Sequence, residues 1–422
     1  MHASRSPEAK EATEAEEAGD RDGRLRLTTE GPVAGGAALA RGPGGRVVFV
    51  DGALPGEQVE VRLTDERRDF ARATVTRVLR PSDDRVEPPC PNVERRCGGC
   101  DLQHVRPAAQ PLLKRAILAD ALRRQAHLDD PLIELGPSLP AMGFRTSVRC
   151  AVVDGAAGFR IGASHDVLDI DHCLVAHPVI DDLIHRGRFD GADEVTFRIG
   201  AATGELLVLA HPDADEIVLP DGVEAIVVGR AGLDRGSRAW IHDVVAGHRF
   251  RISALSFFQS RADAATVLVE TVIDLGGDEL RGARTVVDAY AGVGLFAALA
   301  APARAKVIAV ESSRSSVADA QLNLRGRNAR IVRSAVERWR PSAADVVIAD
   351  PPRSGLGRVA VDALVATAAS TIIVVSCDAA AFGRDAKLLG THGYRLERSI
   401  LVDLFPHTHH VEVVSRFTRT RT

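Results

Sequence analysis

Six cysteines stand out among the residues that could do chemistry in this 422-residue chain, and they fall into three settings. Cys90, Cys97 and Cys100 are close together, and a distant Cys173 follows in DIDHCLVAHP. Four thiolates so arranged could hold Zn²⁺ or an iron–sulfur cluster, and spacing alone does not choose. Cys150 alternates with apolar neighbours in SVRCAVV and reads as core. Cys377 ends the apolar run TIIVVSC. Two carboxylates accompany it. Asp350 ends DVVIAD and opens Asp350-Pro351-Pro352-Arg353-Ser354-Gly355, and Glu412 lies in the tail VDLFPHTHHVE. A thiolate can add to an electron-poor ring carbon, and a carboxylate can then remove a ring proton. Taken singly, each residue has a bland reading: a buried small residue, a loop, a solvated acid. Their order along one predicted sheet argues against that.

A Gly-rich turn, Asp288-Ala289-Tyr290-Ala291-Gly292-Val293-Gly294, follows the first strand of that sheet. Glycines let backbone turn sharply beside a ligand, and ligands bind at the carboxyl ends of such strands. The next run, KVIAVE, ends at Glu311, whose carboxylate suits a ribose diol because it accepts two hydroxyl hydrogens. A nicotinamide dinucleotide site also pairs a Gly-rich turn with a later acid. Its third glycine is missing here, since Ala297 stands in that place. S-adenosylmethionine is therefore favoured, with a dinucleotide or a purely structural turn as alternatives. Beside a methyl donor the thiol gains a target. Uracil C5 is a poor nucleophile, but a thiolate added at C6 makes an enolate whose C5 can attack a sulfonium methyl. A base must then take the C5 proton before the thiol leaves. Cys377 is the candidate nucleophile, Glu412 the base and Asp350 the group that orients the ring.

The elements that must position these groups predict a multi-domain chain. Residues 1–23 are acidic and polar and read as a disordered tail. Residues 24–80 alternate short apolar runs with Gly/Pro turns, which predicts a small β-barrel. Residues 81–250 carry the cysteine cluster, a helical stretch and several strand-like pieces, an α+β central domain. From 251 to 422 β and α patterns alternate, predicting a doubly wound α/β sheet with helices on both faces. Two final strand runs lie too close for a crossover helix, so an antiparallel pair is expected at the sheet edge. Lys and Arg total 53 against 57 Asp and Glu, a net charge of −4, so a globally basic nucleic-acid coat is excluded and any polynucleotide site is a local patch. Without a signal-peptide core or a membrane-length apolar stretch, a cytoplasmic protein with no membrane partner is expected. Nothing points to an obligate protein partner.

These motifs together resemble the bacterial RNA uracil-C5 methyltransferase family, which modifies tRNA or 23S rRNA. The barrel segment GRVVFVDGALPGE with PSDDRVEPPC is similar to that family's TRAM domain, and VDLFPHTHHVE to its terminal signature. The resemblance implies Cys377 as nucleophile and Glu412 as the base for the C5 proton. It also implies that Asp350, Tyr290, Glu311 and Gln259 (in SFFQSR) line the adenosylmethionine and uracil pocket, with Gly292 and Gly294 in the cofactor turn. Members with this cysteine pattern carry a [4Fe-4S] cluster, which assigns Cys90, Cys97, Cys100 and Cys173 as its ligands, with zinc as the alternative. The cluster would shape an RNA-binding segment rather than do redox work. Three positions depart from the family pattern: Asp378 follows the thiol in place of Asn, Arg261 replaces the Asn of F-x-Q-x-N, and Ala335 stands where an acid or amide is expected. Arg95, Arg96, Arg123, Arg124, Arg145 and Arg149 are candidate RNA-backbone contacts. The expected activity is methylation of uridine C5 in structured RNA, with 23S rRNA favoured over tRNA. The rivals are cytosine-C5 methylation of RNA and a non-catalytic RNA binder with a degenerate catalytic domain.

Overall fold

A computed structural model describes residues 24–162, 164–214 and 216–420, so the expected tail 1–23 lies outside the described residues. They divide into two compact units.

The first unit runs to Pro89 and adds residues 100–120 and 406–410. Its five strands, Arg24–Pro32, Ala38–Arg41, Val47–Asp51, Gln58–Glu66 and Phe70–Arg80, close into a barrel. Small and branched residues fill the narrow interior: Ala38, Ala40, Val48, Val50, Val59, Val61, Ala71 and Ala73. Register shifts in the pairing of the last two strands bend them far enough to close. Glu57 is fully buried and fully bonded. The Leu54 amide (2.8 Å), the Ser82 amide (3.1 Å) and Arg85 (2.5 and 2.7 Å) all donate to its carboxylate. Burial raises its pKa, but these donors outweigh burial and hold it below the usual range. The helix Gln110–Ala121 carries Gln110, whose side chain accepts from the His407 amide (2.6 Å).

The second unit contains a six-stranded sheet ordered Ile226–Gly229, Leu206–His211, Glu194–Ile199, Ser147–Val153, Ala156–Arg160 and Val167–Asp169. Cys150 is 1% exposed within its core. An eight-stranded sheet follows: β1 Ile133–Leu135, β2 Thr285–Ala289, β3 Lys306–Glu311, β4 Ala329–Arg333, β5 Val346–Ala349, β6 Thr371–Ser376, β7 Tyr394–Leu401 and β8 Val413–Arg419, in the spatial order β4-β3-β2-β5-β6-β8-β7-β1. β2 to β6 are mutually parallel, and β5 and β6 are buried at every residue, so they read as unbroken apolar runs. Helices α1 Ala264–Gly282, α2 Leu295–Leu299, α3 Arg314–Asn323, α4 Gly357–Val365 and α5 Ala379–Thr391 intervene. The closing strands pair antiparallel as expected. They are not the sheet edge, however: β1 joins outside β7 in parallel. Its three residues, between Pro131 and Gly136, carry too short an apolar pattern to signal a strand.

Candidate active site

The cofactor corner is built by the turn after β2. Tyr290 (φ 62°), Gly292 (φ 55°) and Gly294 (φ 93°) all take left-handed backbone, a cost for the tyrosine and none for the glycines. A Cβ on Gly292 would meet nothing within 4 Å, whereas one on Gly294 would press on Leu324 at 3.2 Å. The first glycine thus leaves open space for a ligand and the second permits packing of the turn. Glu311, at the tip of β3, accepts from the Gly292 amide (2.8 Å) and the Ser313 amide (2.6 Å). It ties two loops together and keeps lone pairs for hydroxyls. The Tyr290 hydroxyl donates to Glu337 (3.0 Å). Asp288, fully buried, accepts from the Ala297 amide at the start of α2 (2.8 Å) and braces the turn from behind. Burial, opposed by that bond and helped by Asp350 and Glu311, pushes its carboxyl up to about 7. Gln259 follows the strand His248–Ser253 on a half-buried loop.

The candidate reactive groups come from three neighbouring strands. β6 delivers Cys377 at its carboxyl end, β5 delivers Asp350, and Glu412 immediately precedes β8, which lies against β6. Ser376 pairs with Val413, which brings the residues beside them, Cys377 and Glu412, to one end of the sheet. The thiol feels the charges of Glu412, Asp350 and Arg353. Burial pushes it up to about 12; Glu412 and Asp350 push the same way, Arg353 opposes, and Asp378 adds a lesser push upward. Glu412 is 5% exposed. Burial first, then Asp350, raises it well above the carboxylate range against the pull of Arg353. Burial raises Asp350 as well. The set therefore rests as a protonated thiol beside two carboxyls that resist joint ionisation. Asp378 spends its charge elsewhere: it is the N-cap of α5 and accepts from the Ala381 amide (2.7 Å).

Comparison with known proteins gives this geometry its family. A TRAM domain matches residues 24–76, and the family described as tRNA (Uracil-5-)-methyltransferase matches residues 338–419. A Streptomyces avermitilis protein named as an uncharacterized RNA methyltransferase is 36% identical, over 91% of this chain and 96% of the relative. A Chromohalobacter salexigens protein named 23S rRNA (uracil(1939)-C(5))-methyltransferase is 33% identical, over 91% of this chain and 87% of its own. The chain belongs to the RNA (uracil-C5)-methyltransferase family. Its enzyme class is thereby the adenosylmethionine-dependent RNA methyltransferases. The fold agrees: the Pyrococcus abyssi tRNA (uracil-54, C5)-methyltransferase, solved with S-adenosyl-L-homocysteine, superposes with a TM-score of 0.70 at 23% identity, over 93% of this chain and all of that one.

In the methyltransferase Cys90 and Cys97 lie in one segment of the second unit and Cys173 in another. Cys97 feels the charge of Cys90, and Cys173 that of Cys97. The Asn92 side chain donates to the His172 carbonyl (2.9 Å) and draws the loop after Cys90 towards Cys173. Among the described residues, no three His, Cys, Asp or Glu side chains converge as a metal-binding group. The donor chemistry suits a thiophilic metal, but the placed side chains do not form its cage. Of the family departures, Arg261 is 2% exposed and its donors are taken by protein: Asp263 (2.5 and 2.8 Å), the Leu404 carbonyl (3.0 Å) and the Pro140 carbonyl (3.1 Å). Ala335 caps the turn bearing Glu337.

Arg353, Asp385 and Phe257 carried no assigned role in the sequence. Arg353 was visible only as part of a loop, yet it is the cation that both Cys377 and Glu412 feel. Asp385, mid-helix in α5, accepts from the Leu356 (2.7 Å) and Gly357 (3.0 Å) amides and fixes the loop after Asp350. A Cβ at Gly355 would stand 2.4 Å from that carboxylate, so only glycine fits there. Phe257, two residues before Gln259, is 66% exposed. Its pairing with Gln259 in SFFQSR was the available signal.

Proposed function

We propose that this methyltransferase forms a covalent bond between Cys377 and C6 of a uracil in structured RNA, then methylates C5. The observation that carries the reading is the convergence of Cys377, Glu412 and Asp350 at one end of β5, β6 and β8. S-adenosylmethionine, when bound, supplies a positively charged methyl donor. Glu311 and the Gly292–Gly294 turn hold its ribose and Tyr290, Gln259 and Asp350 line the pocket. Asp350 orients the uracil edge. Glu412, which burial and Asp350 hold well above the ordinary carboxylate range, takes the C5 proton as the general base. Trapping tests the step: 5-fluorouridine-substituted RNA with cofactor should yield an adduct at position 377, and no adduct would end the reading.

Ribosomal RNA is the favoured target, supported by relatives named for 23S rRNA at 32–33% identity. Mapping of 5-methyluridine in 23S rRNA and tRNA, with and without the gene, decides this. Cys90, Cys97, Cys100 and Cys173 are proposed to hold a [4Fe-4S] cluster that organises an RNA-contacting segment, supported by their spacing and by the electrostatic reach between Cys90 and Cys97 and between Cys97 and Cys173. No reaction step passes through it. Anaerobically purified protein should contain iron and acid-labile sulfide. Zinc without sulfide would indicate a structural zinc site.

A further inference from the structure

A cavity of about 890 Å³ in the second unit is lined by four arginines: Arg238, Arg251, Arg314 and Arg333. None of the candidate cofactor residues lines it. It nevertheless adjoins the cofactor corner, because Arg333 pairs with Glu311 across β3 and β4 and Arg314 opens the helix that follows β3. We propose that this cavity receives the sugar–phosphate backbone of the substrate RNA, as a phosphodiester site separate from the catalytic pocket. The inference rests on RNA being the substrate.

The charge balance carries it. The only acid in the lining, Asp234, is already engaged by Arg230 at 3.0 Å. Arg251 is rigidly held: its Nε lies 3.0 Å from the buried Asp319, and its guanidinium stacks on Trp240 at 4.2 Å. Asp319 is itself fixed by the Ser253 amide (2.8 Å), the Ser253 hydroxyl (2.7 Å) and the Ser256 hydroxyl (2.6 Å). Arg238, Arg314 and Arg333 are exposed and take part in no ion pair among the described residues. Like charges gathered without counter-charges repel one another, and an anionic ligand relieves that cost. In a chain of net charge −4, such a gathering is the local patch a polynucleotide requires. A free phosphate would fill a small part of this volume, whereas a strand passing through it could meet arginines from three separate elements. Guanidinium groups suit phosphate oxygens because they donate in a fixed fork.

The test is RNA binding by the full chain carrying R238Q, R314Q and R333Q together, at several salt concentrations. A single R304Q variant serves as the control, since Arg304 is exposed at the amino end of β3. The triple variant should bind its methylatable RNA roughly tenfold or more weakly, with a log–log salt slope flatter by about two, as expected for three lost phosphate contacts. R304Q should leave both values unchanged. The corresponding triple lysine variant, which keeps the charge, should recover the slope. S-adenosylmethionine affinity measured by calorimetry should stay as in the wild type. An RNA affinity and slope equal to those of R304Q would overturn the proposal, and so would a loss of cofactor affinity in place of RNA affinity. Because wild-type tritium release from C5-labelled RNA is scored separately, failure of the uridine reading itself would show there first.

Discussion

Burial keeps Cys377, the proposed nucleophile, as a thiol, so the covalent step proposed above must begin by removing its proton. With burial holding it near 12, spontaneous thiolate is scarce at neutral pH. Catalysis then depends on carboxyls whose own pKa values are raised. The base form is the active one, so kcat/KM should climb as pH rises beyond the ordinary carboxylate range, and E412Q should flatten that climb. C377A should abolish tritium release and adduct formation alike. E412Q should divide the two: the adduct forms and accumulates, while product release falls roughly 10³-fold, within the usual range for general base catalysis. Loss of the adduct in E412Q would assign the glutamate to thiol activation instead. That Cys377, Glu412 and Asp350 meet at one end of the sheet was legible because each closes a recognisable motif at a strand end. Arg353 had no such mark: its role comes from which charges surround it, and only the fold decides that.

At the scale of elements, α5 does two jobs. Its first residue follows Cys377-Asp378, and its Asp385 clasps the backbone of the loop that carries Asp350 and Arg353. The helix thus sets the thiol and its neighbours in one frame. D385A would leave the buried Leu356 amide and the Gly357 amide unpaired, at a cost of roughly 1–3 kcal/mol each. It should lower kcat while leaving S-adenosylmethionine affinity nearly intact; equal loss of both would mean the clasp serves the cofactor corner too. An aspartate in mid-helix gives no periodic signal, which is why the clasp could not be read from sequence. The barrel was readable because its turns and alternation repeat over short range. β1 was not, since three residues paired with a strand more than 250 positions later leave almost no local trace.

Across the whole molecule, two buried carboxyls give stability opposite dependences on pH. Glu57 has a lowered pKa, so its contribution is present above about 4.5 and is lost as pH falls through its folded value. Asp288 has a raised one, so its contribution is present below about 3.8 and is lost as pH rises through about 7. D288N keeps an acceptor for the Ala297 amide without a charge. Its advantage over the wild type in urea unfolding should grow between pH 4 and pH 7, to at most roughly 4 kcal/mol. An advantage that stays flat with pH would place the Asp288 titration elsewhere. The position of β8 has a different kind of consequence. It lies between β6 and β7, although both precede it in the chain. During translation β6 and β7 are therefore synthesised before the strand that separates them, and Cys377 and Glu412, the proposed nucleophile and base, meet only when β8 enters the sheet.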